Sequence, residues 1–419
     1  MPQIRVAIET LGCKLNQAES ESLARDLSSA GYALVPAGGQ AEVYVLNSCT
    51  VTHVADRKSR QLIRAARRLN PEALIVATGC YAERSATDMK AAGADVVVGV
   101  TDKTDIIDLV RGRLPHKTGP LHERQFSRTR AFVKVQDGCN RHCSYCIVPL
   151  VRGGEKSLAV DAILAEIDQR VSEGFKEIVL TGTEVGAYSN DGAGITGLIE
   201  RILNETRVER VRVSSLQPFE ITPELLELWE NPRLCRHFHI SLQSGSNAIL
   251  KGMQRGYDTA GYTGAVESIM ANMPDAAITT DIIVGFPGET DKEFQRSMAF
   301  CRRAGFARIH VFPFSPRPGA PAASMQGQVP ELVKKDRARQ MLALAKEAAA
   351  AFRSQSVGNT TEALWEYEQS GLWSGYTGNY IRVYTRSSGN LTNVLSNVKL
   401  VKAYKDGIFA ELFESEETK

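Results

Sequence analysis

Apolar and polar positions alternate in blocks along the first hundred residues. Short apolar runs at 4–8, 43–46, 74–77 and 96–98 are separated by stretches with helical spacing, such as 19–30 and 54–69. Apolar runs of that length between helices predict buried strands in a parallel sheet covered on both faces. Residues 111–130 break the pattern with Gly, Pro, His and many basic residues, as a linker does. A second series follows, with strand-like runs at 132–135, 178–181, 211–214, 238–242, 278–284 and 309–313. Helix-like stretches at 160–172 and 290–303 lie between them, and Gly174 and Gly305 stand where such helices end. Six units predict a full or partial (β/α) barrel rather than an open sheet. A long Ala- and Lys-rich helix over about 329–352 closes the series. From residue 357 the runs shorten, at 380–384, 398–401 and 408–412, among Gly and Asn turns. The fold class is therefore α/β in three units: an N-terminal α/β domain over 1–115, a barrel over 125–356, and a small β-barrel over 357–419.

Composition narrows the class. The chain has 419 residues, 43% of them hydrophobic, which fits a folded protein. No run approaches the roughly 18 apolar residues of a membrane span. The start, MPQIRVAIETLGCKLN, lacks the apolar core and small-residue cleavage site of a signal peptide. Eight cysteines are too sparse for a disulfide scaffold. A cytoplasmic chain is expected, in which cysteines serve packing, catalysis or metal binding.

The net charge of +2 hides an uneven distribution. Arg57, Lys58, Arg60, Arg64, Arg67 and Arg68 fall in twelve residues without an acid, and four of them recur at helical spacing. Residues 111–134 add seven Lys or Arg against Glu123 alone, so the remainder of the chain is acidic. A basic stripe is either a solvated face or a phosphate footprint. Residues 357–419 hold six Lys or Arg against eight Asp or Glu. RNA on that module would need Arg382, Lys399 and Lys402 locally, with Tyr380 or Tyr384 stacking.

The cysteines carry the chemistry. Cys139, Cys143 and Cys146 form Cys-x3-Cys-x2-Cys in DGCNRHCSYC, just after the first barrel strand, where barrel active sites lie. Three thiolates in so short a loop can grip three irons of a cubane cluster and leave the fourth iron open, the contrasting readings being zinc or idle cysteines. Zinc usually takes four ligands, and His142 would be the fourth. Cys13, Cys49 and Cys80 share a different context, each following an apolar strand and a small turn: AIETLGC, VYVLNSC and LIVATGC. In a parallel sheet such positions share the C-terminal edge, where ligands bind. Either they form a second three-thiolate site or they are buried packing residues. Cys235 and Cys301 read as packing cysteines.

Together these motifs resemble the radical S-adenosylmethionine (SAM) superfamily. TLGCKLN, LNSC and TGC upstream, with SLQSGS, DIIVGFPGET and FSPRPGAPA downstream, resemble its methylthiotransferase family, and GYTGNYIRVYT resembles that family's RNA-binding TRAM barrel. Lys14, Leu15 and Ser241 resemble the branch acting on N6-threonylcarbamoyladenosine at tRNA position 37. Other branches act on isopentenyladenosine or a ribosomal protein. The resemblance implies two 4Fe-4S clusters and SAM. The cluster on Cys139, Cys143 and Cys146 would cleave SAM to a 5′-deoxyadenosyl radical that takes the hydrogen from adenine carbon 2. The cluster on Cys13, Cys49 and Cys80 would supply sulfur, and a second SAM the methyl group.

Among SAM contacts, the family's Gly-Gly-Glu resembles Gly182, Thr183 and Glu184, although Thr183 stands in the Glu place. Ser241 and Gln243 would reach the SAM ribose or carboxylate, or else form a polar rim. Arg255 would bind a SAM carboxylate or an RNA phosphate, or form a surface ion pair. Asp281 needs a buried partner. Gly285 and Gly288 would admit adenine or make the turn. The implied partners are a tRNA substrate, a reductant protein and a sulfur donor, with no membrane and a monomeric chain. The contrasting reading is a zinc-stabilised RNA-binding protein without catalysis.

Overall fold

The computed structural model describes residues 3–103, 105–114 and 129–413. The first unit is an all-parallel five-stranded sheet, β1 (Arg5–Thr10), β2 (Ala33–Val35), β3 (Val43–Ser48), β4 (Leu74–Gly79) and β5 (Val96–Val97), in the order β2-β1-β3-β4-β5. β3 and β4 are buried at every position, which is why their sequences run apolar without alternation. Helices α1 (Lys14–Ser29) and α2 (His53–Leu69) follow β1 and β3. α1 starts five residues earlier than the spacing predicts, because its polar first turn hides the apolar period. β2 is only half-buried, and its short run falls below the pattern's threshold.

The predicted linker needs correction at both ends. A helix runs over Asp105–Arg113, its Ile106 and Val110 buried against the sheet, and β6 (Arg130–Lys134) takes the far end. The rest of the linker, and the 115 and 125 boundaries, lie outside the described residues.

The second unit is a partial barrel. Its six parallel strands run in sequence order: β6, Glu177–Thr181, a divided third strand, His237–Ile240, Ala277–Val284 and Arg308–Pro313. The third strand gives Arg210–Val213 to the second and Ser215–Leu216 to the fourth. Among the described residues the first and sixth strands do not pair, so the barrel has an open seam. Helices Val160–Ser172 and Asp291–Ala304 cover it, the latter ended by Gly305 in the left-handed region. The long helix Glu331–Ser356 packs across the last strands through Arg337, bonded to Glu289 at 2.9 Å.

The third unit is a closed five-stranded barrel over 360–412 around Trp365, Val383, Val398, Ile408 and Ala410. It does not present its tyrosines as the sequence suggests. Tyr380 reaches the N-terminal end of the larger barrel, stacking on His237 at 4.9 Å and accepting from Arg130 at 2.7 Å. Tyr384 is buried and donates to Asp406, so neither ring is free to stack on a base. Arg382 is likewise paired with Asp406 at 3.0 Å, whereas Lys399 and Lys402 are exposed. No described helix is long and apolar enough to cross a membrane.

Candidate active site between two cysteine triads

Strand register gathers the first triad. Ser48 pairs with Gly79, so the next residues, Cys49 and Cys80, leave neighbouring strands side by side. Thr10 pairs with Asn47, which places Cys13 beyond the same edge. The order reverses between β1 and β3, the position where parallel sheets open a crevice for ligands. A Cβ on Gly12 would lie 2.8 Å from Cys49 Cβ, at φ +107°, so only glycine lets the chain pass here. Cys13 is exposed and Cys49 and Cys80 are buried. Burial pushes the Cys49 thiol up to about 12, and nearby Cys80 and Cys13 add to it.

The loop after β6 presents the second triad. Cys139 N donates to Gly153 O at 3.1 Å and Ser144 N to Met253 O at 3.0 Å. Ala322 N, in the FSPRPGAPA segment, donates to Ser144 O at 2.7 Å. Burial pushes Cys139 up to about 12 and Cys146 up to about 11. Donors already face the sulfurs: Arg255 reaches Cys143 Sγ at 3.2 Å, and Val148 N reaches Cys146 Sγ at 3.4 Å. Arg152 does the same for the first triad, with Nε 3.2 Å from Cys80 Sγ. Such donors stabilise thiolate and cluster-bound sulfur.

Spacing favours a cluster over zinc. A single tetrahedral zinc draws sulfurs to about 3.8 Å from one another. Among the described residues, the only group whose ligand atoms all lie within 4.8 Å is Cys139, Glu155 and Glu184, so neither thiol triad is that tight. Thiols spread over different irons need not be. The donor set and the sulfur-facing N–H groups fit iron–sulfur clusters.

A cavity of about 190 Å³ lies between the loop of the second triad and the segment that follows Cys49. Cys146 and Tyr145 line one side, Val51 and Thr52 after Cys49 another, and Gln243 and Asp281 the barrel side. Asp281 has the partner its burial demands, accepting from Ser241 at 3.2 Å and lying 3.3 Å from His239 Nε2. Burial opposes its ionisation, but His239 holds its pKa below the usual range. Gln243, at φ 68°, ties the fourth strand end to the fifth through Asp281 O at 2.8 Å.

Other predicted contacts resolve differently. Glu184 is buried and bonds Arg141 and Cys139 Sγ, while Thr183 lies 3.4 Å from Asp137. Gly182 packs on Gln136, where a Cβ would meet its carbonyl at 2.9 Å. Arg255 is not a surface ion pair; it is held by Cys143, Tyr145, Tyr257 and Gln217. Gly285 makes room for Lys334, whose side chain a Cβ would strike, and Gly288 N bonds the distant Gly327 O at 2.8 Å; both glycines have positive φ. Cys235 and Cys301 are buried, as packing residues are.

Sequence reasoning passed over Arg152, Glu155 and Arg317. Arg152 also bonds Asn16 at 2.6 Å, Glu19 at 2.9 Å and Asp137 at 2.9 Å, joining the barrel to α1. Arg317 holds Asp56 at 2.6 Å and Thr50, next to Cys49, at 2.8 Å. The string RGGE after the cysteine loop was the available signal for the first two.

Lys14, at the start of α1, projects into the barrel. Its ammonium lies within Coulombic reach of Arg130, Glu177, Arg212 and Asp281, and acts on His237 and His310. Those six residues come from all six barrel strands. Burial first, then Arg212 and Arg130, lower its pKa to about 8.

Residues 5–99 match the family described as Uncharacterized protein family UPF0004, and residues 133–301 match the Radical SAM superfamily. Threonylcarbamoyladenosine tRNA methylthiotransferase MtaB of Thermotoga maritima is 38% identical over 97% of this chain and 96% of its own. The MtaB of Bacillus subtilis is 37% identical over 99% and 98%. A tRNA-2-methylthio-N(6)-dimethylallyladenosine synthase of Aquifex aeolicus is 30% identical over 97% and 98%. Among solved structures, the radical SAM methyltransferase TsrM of Kitasatospora setae shares the fold with a TM-score of 0.57 at 13% identity, over 77% of this chain and 75% of that one. The chain belongs to the radical SAM methylthiotransferases, in the threonylcarbamoyladenosine tRNA methylthiotransferase family.

Proposed function

We propose that this enzyme replaces the hydrogen on carbon 2 of N6-threonylcarbamoyladenosine, at tRNA position 37, with a methylthio group. One observation carries the reading: a single cavity faces Cys146 on one side and the segment following Cys49 on the other. Cys139, Cys143 and Cys146 would hold one 4Fe-4S cluster, and Cys13, Cys49 and Cys80 a second. When bound, the clusters and SAM supply reductive carbon–sulfur cleavage, hydrogen abstraction and sulfur transfer. The chain's own residues position and shield. Arg255 and Arg152 donate to a sulfur of each triad, and Arg317 fixes the loop after Cys49. Gln243, Ser241 and Asp281 offer polar contacts on the barrel side, and Phe312 and Phe314 limit water. Gly182, Thr183 and Glu184 stand beside the cysteine loop as candidate SAM contacts.

We assign residues 1–115 to the sulfur-supplying unit, 125–356 to the radical unit and 357–419 to a TRAM module. A reductant protein, a sulfur donor, a monomeric state and a cytoplasmic setting complete the proposal. Nucleosides of tRNA from a strain lacking the gene test it. Loss of the methylthio form of threonylcarbamoyladenosine is expected; its unchanged presence would contradict the assignment. Replacing Cys13, Cys49 and Cys80 together is expected to leave SAM cleavage and remove product.

A further inference from the structure

The barrel interior holds one positive charge too many. Arg130 is paired with Glu366 at 2.8 Å, and Arg210 and Arg212 with Glu177 at 3.0 and 2.8 Å. Asp281 is bound by Ser241 and His239. Lys14 makes no hydrogen bond or ion pair among the described residues. Lys14, Arg130, Arg210 and Arg212 against Glu177, Glu366 and Asp281 therefore leave one cation uncompensated. A half-buried ammonium without a partner is costly unless a ligand supplies the anion.

Its position suits a substrate group. Lys14 belongs to the edge that carries Cys13, yet it faces charged groups from every barrel strand. Asp281, one of those groups, also lines the cavity between the second triad's loop and the segment that follows Cys49. Asp281 thus links the cavity to the lumen that Lys14 faces, the direction an N6 substituent of an adenine in the cavity must take to reach the ammonium. The relatives name two such substituents: threonylcarbamoyl, which ends in a carboxylate, and dimethylallyl, which is apolar.

We infer that the Lys14 ammonium pairs with the threonyl carboxylate of the substrate and sets specificity for an anionic N6 substituent. Lys14 is thus a substrate-binding residue, and the inference rests on the proposed function. Glu177 and Asp281 attract the Lys14 ammonium from a distance, but their oxygens are taken by Arg210 and Arg212 and by Ser241 and His239, so the Lys14 donors stay free for a ligand.

The test compares three forms of one tRNA with the reconstituted holoenzyme: carrying the free threonyl carboxylate, its methyl ester, or unmodified adenosine. Binding and product formation are both measured. Wild type is expected to bind the free acid at least about tenfold more tightly than the ester, the effect of removing one partner from a desolvated charge pair. Lys14→Met is expected to lose that difference and Lys14→Arg to retain it, each checked for full iron content. Wild type binding acid and ester alike, or an iron-replete Lys14→Met keeping the wild-type ratio, would overturn the inference. The wild-type comparison decides even if the Met variant loses a cluster. Wild type that prefers the acid yet forms no methylthio product contradicts the proposed function but supports the carboxylate contact.

Discussion

Gly12 is the smallest residue in the site and the least replaceable. Its left-handed φ and its approach to Cys49 leave no space for a side chain. Gly12→Ala is expected to lower iron from about eight to about four per chain, because only the first triad is displaced. Anaerobic iron analysis reads this directly. Arg152 is the opposite case, a large buried cation shared by Asn16, Glu19, Asp137 and Cys80. Arg152→Met takes one cation from Glu19 and Asp137, which keep Lys103 and Lys134, and is expected to cost about 1–3 kcal/mol in chemical denaturation. Glu177 sets an acid limit. Burial opposes its ionisation, but Arg212 and Arg210 outweigh this and hold its pKa at about 2. The group is depressed in the folded state, so its stabilisation is present above its ordinary 4.5 and is lost as pH falls toward 2. Glu177→Gln should lack that acid limb; a variant with the wild-type acid profile would refute the assignment.

At the scale of elements, the strands were legible and their partners were not. Buried parallel strands announce themselves as apolar runs, so β1, β3, β4 and the barrel strands could be read directly. The three upstream cysteines were legible for the same reason, each sitting one turn past such a run. Packing between units leaves no periodic trace. Nothing local in the sequence shows that Tyr380 enters the larger barrel, or that Arg152 turns back to Cys80. Tyr380→Ala removes a ring that sits under Arg212 at 4.3 Å and is expected to cost about 3 kcal/mol in thermal unfolding. The basic stripe of α2 was half legible. Arg60 is held by Tyr81 and Arg67 by Asp95, whereas Arg57, Arg64 and Arg68 stay exposed. Replacing those three with Gln should weaken tRNA binding and reduce its salt slope by about one for each phosphate no longer neutralised. An unchanged slope would make the stripe a solvated face.

The whole molecule is two α/β units clamped by buried arginines, with a small barrel plugging the far end. Arg152 and Arg317 each cross from the radical unit to a helix of the N-terminal unit, so the loops that carry the two triads are tied together rather than held on independent domains. That arrangement suits a reaction that opens a carbon–hydrogen bond and then delivers sulfur to the same carbon. The most direct measurement is anaerobic incubation of the reconstituted enzyme with SAM, a reductant and tRNA carrying N6-threonylcarbamoyladenosine, followed by mass analysis of the nucleosides. A methylthio group on carbon 2 of that nucleoside, absent when Cys13, Cys49 and Cys80 are replaced, is the predicted result. SAM cleavage with the nucleoside left unmodified, by an enzyme holding both clusters, would contradict the account.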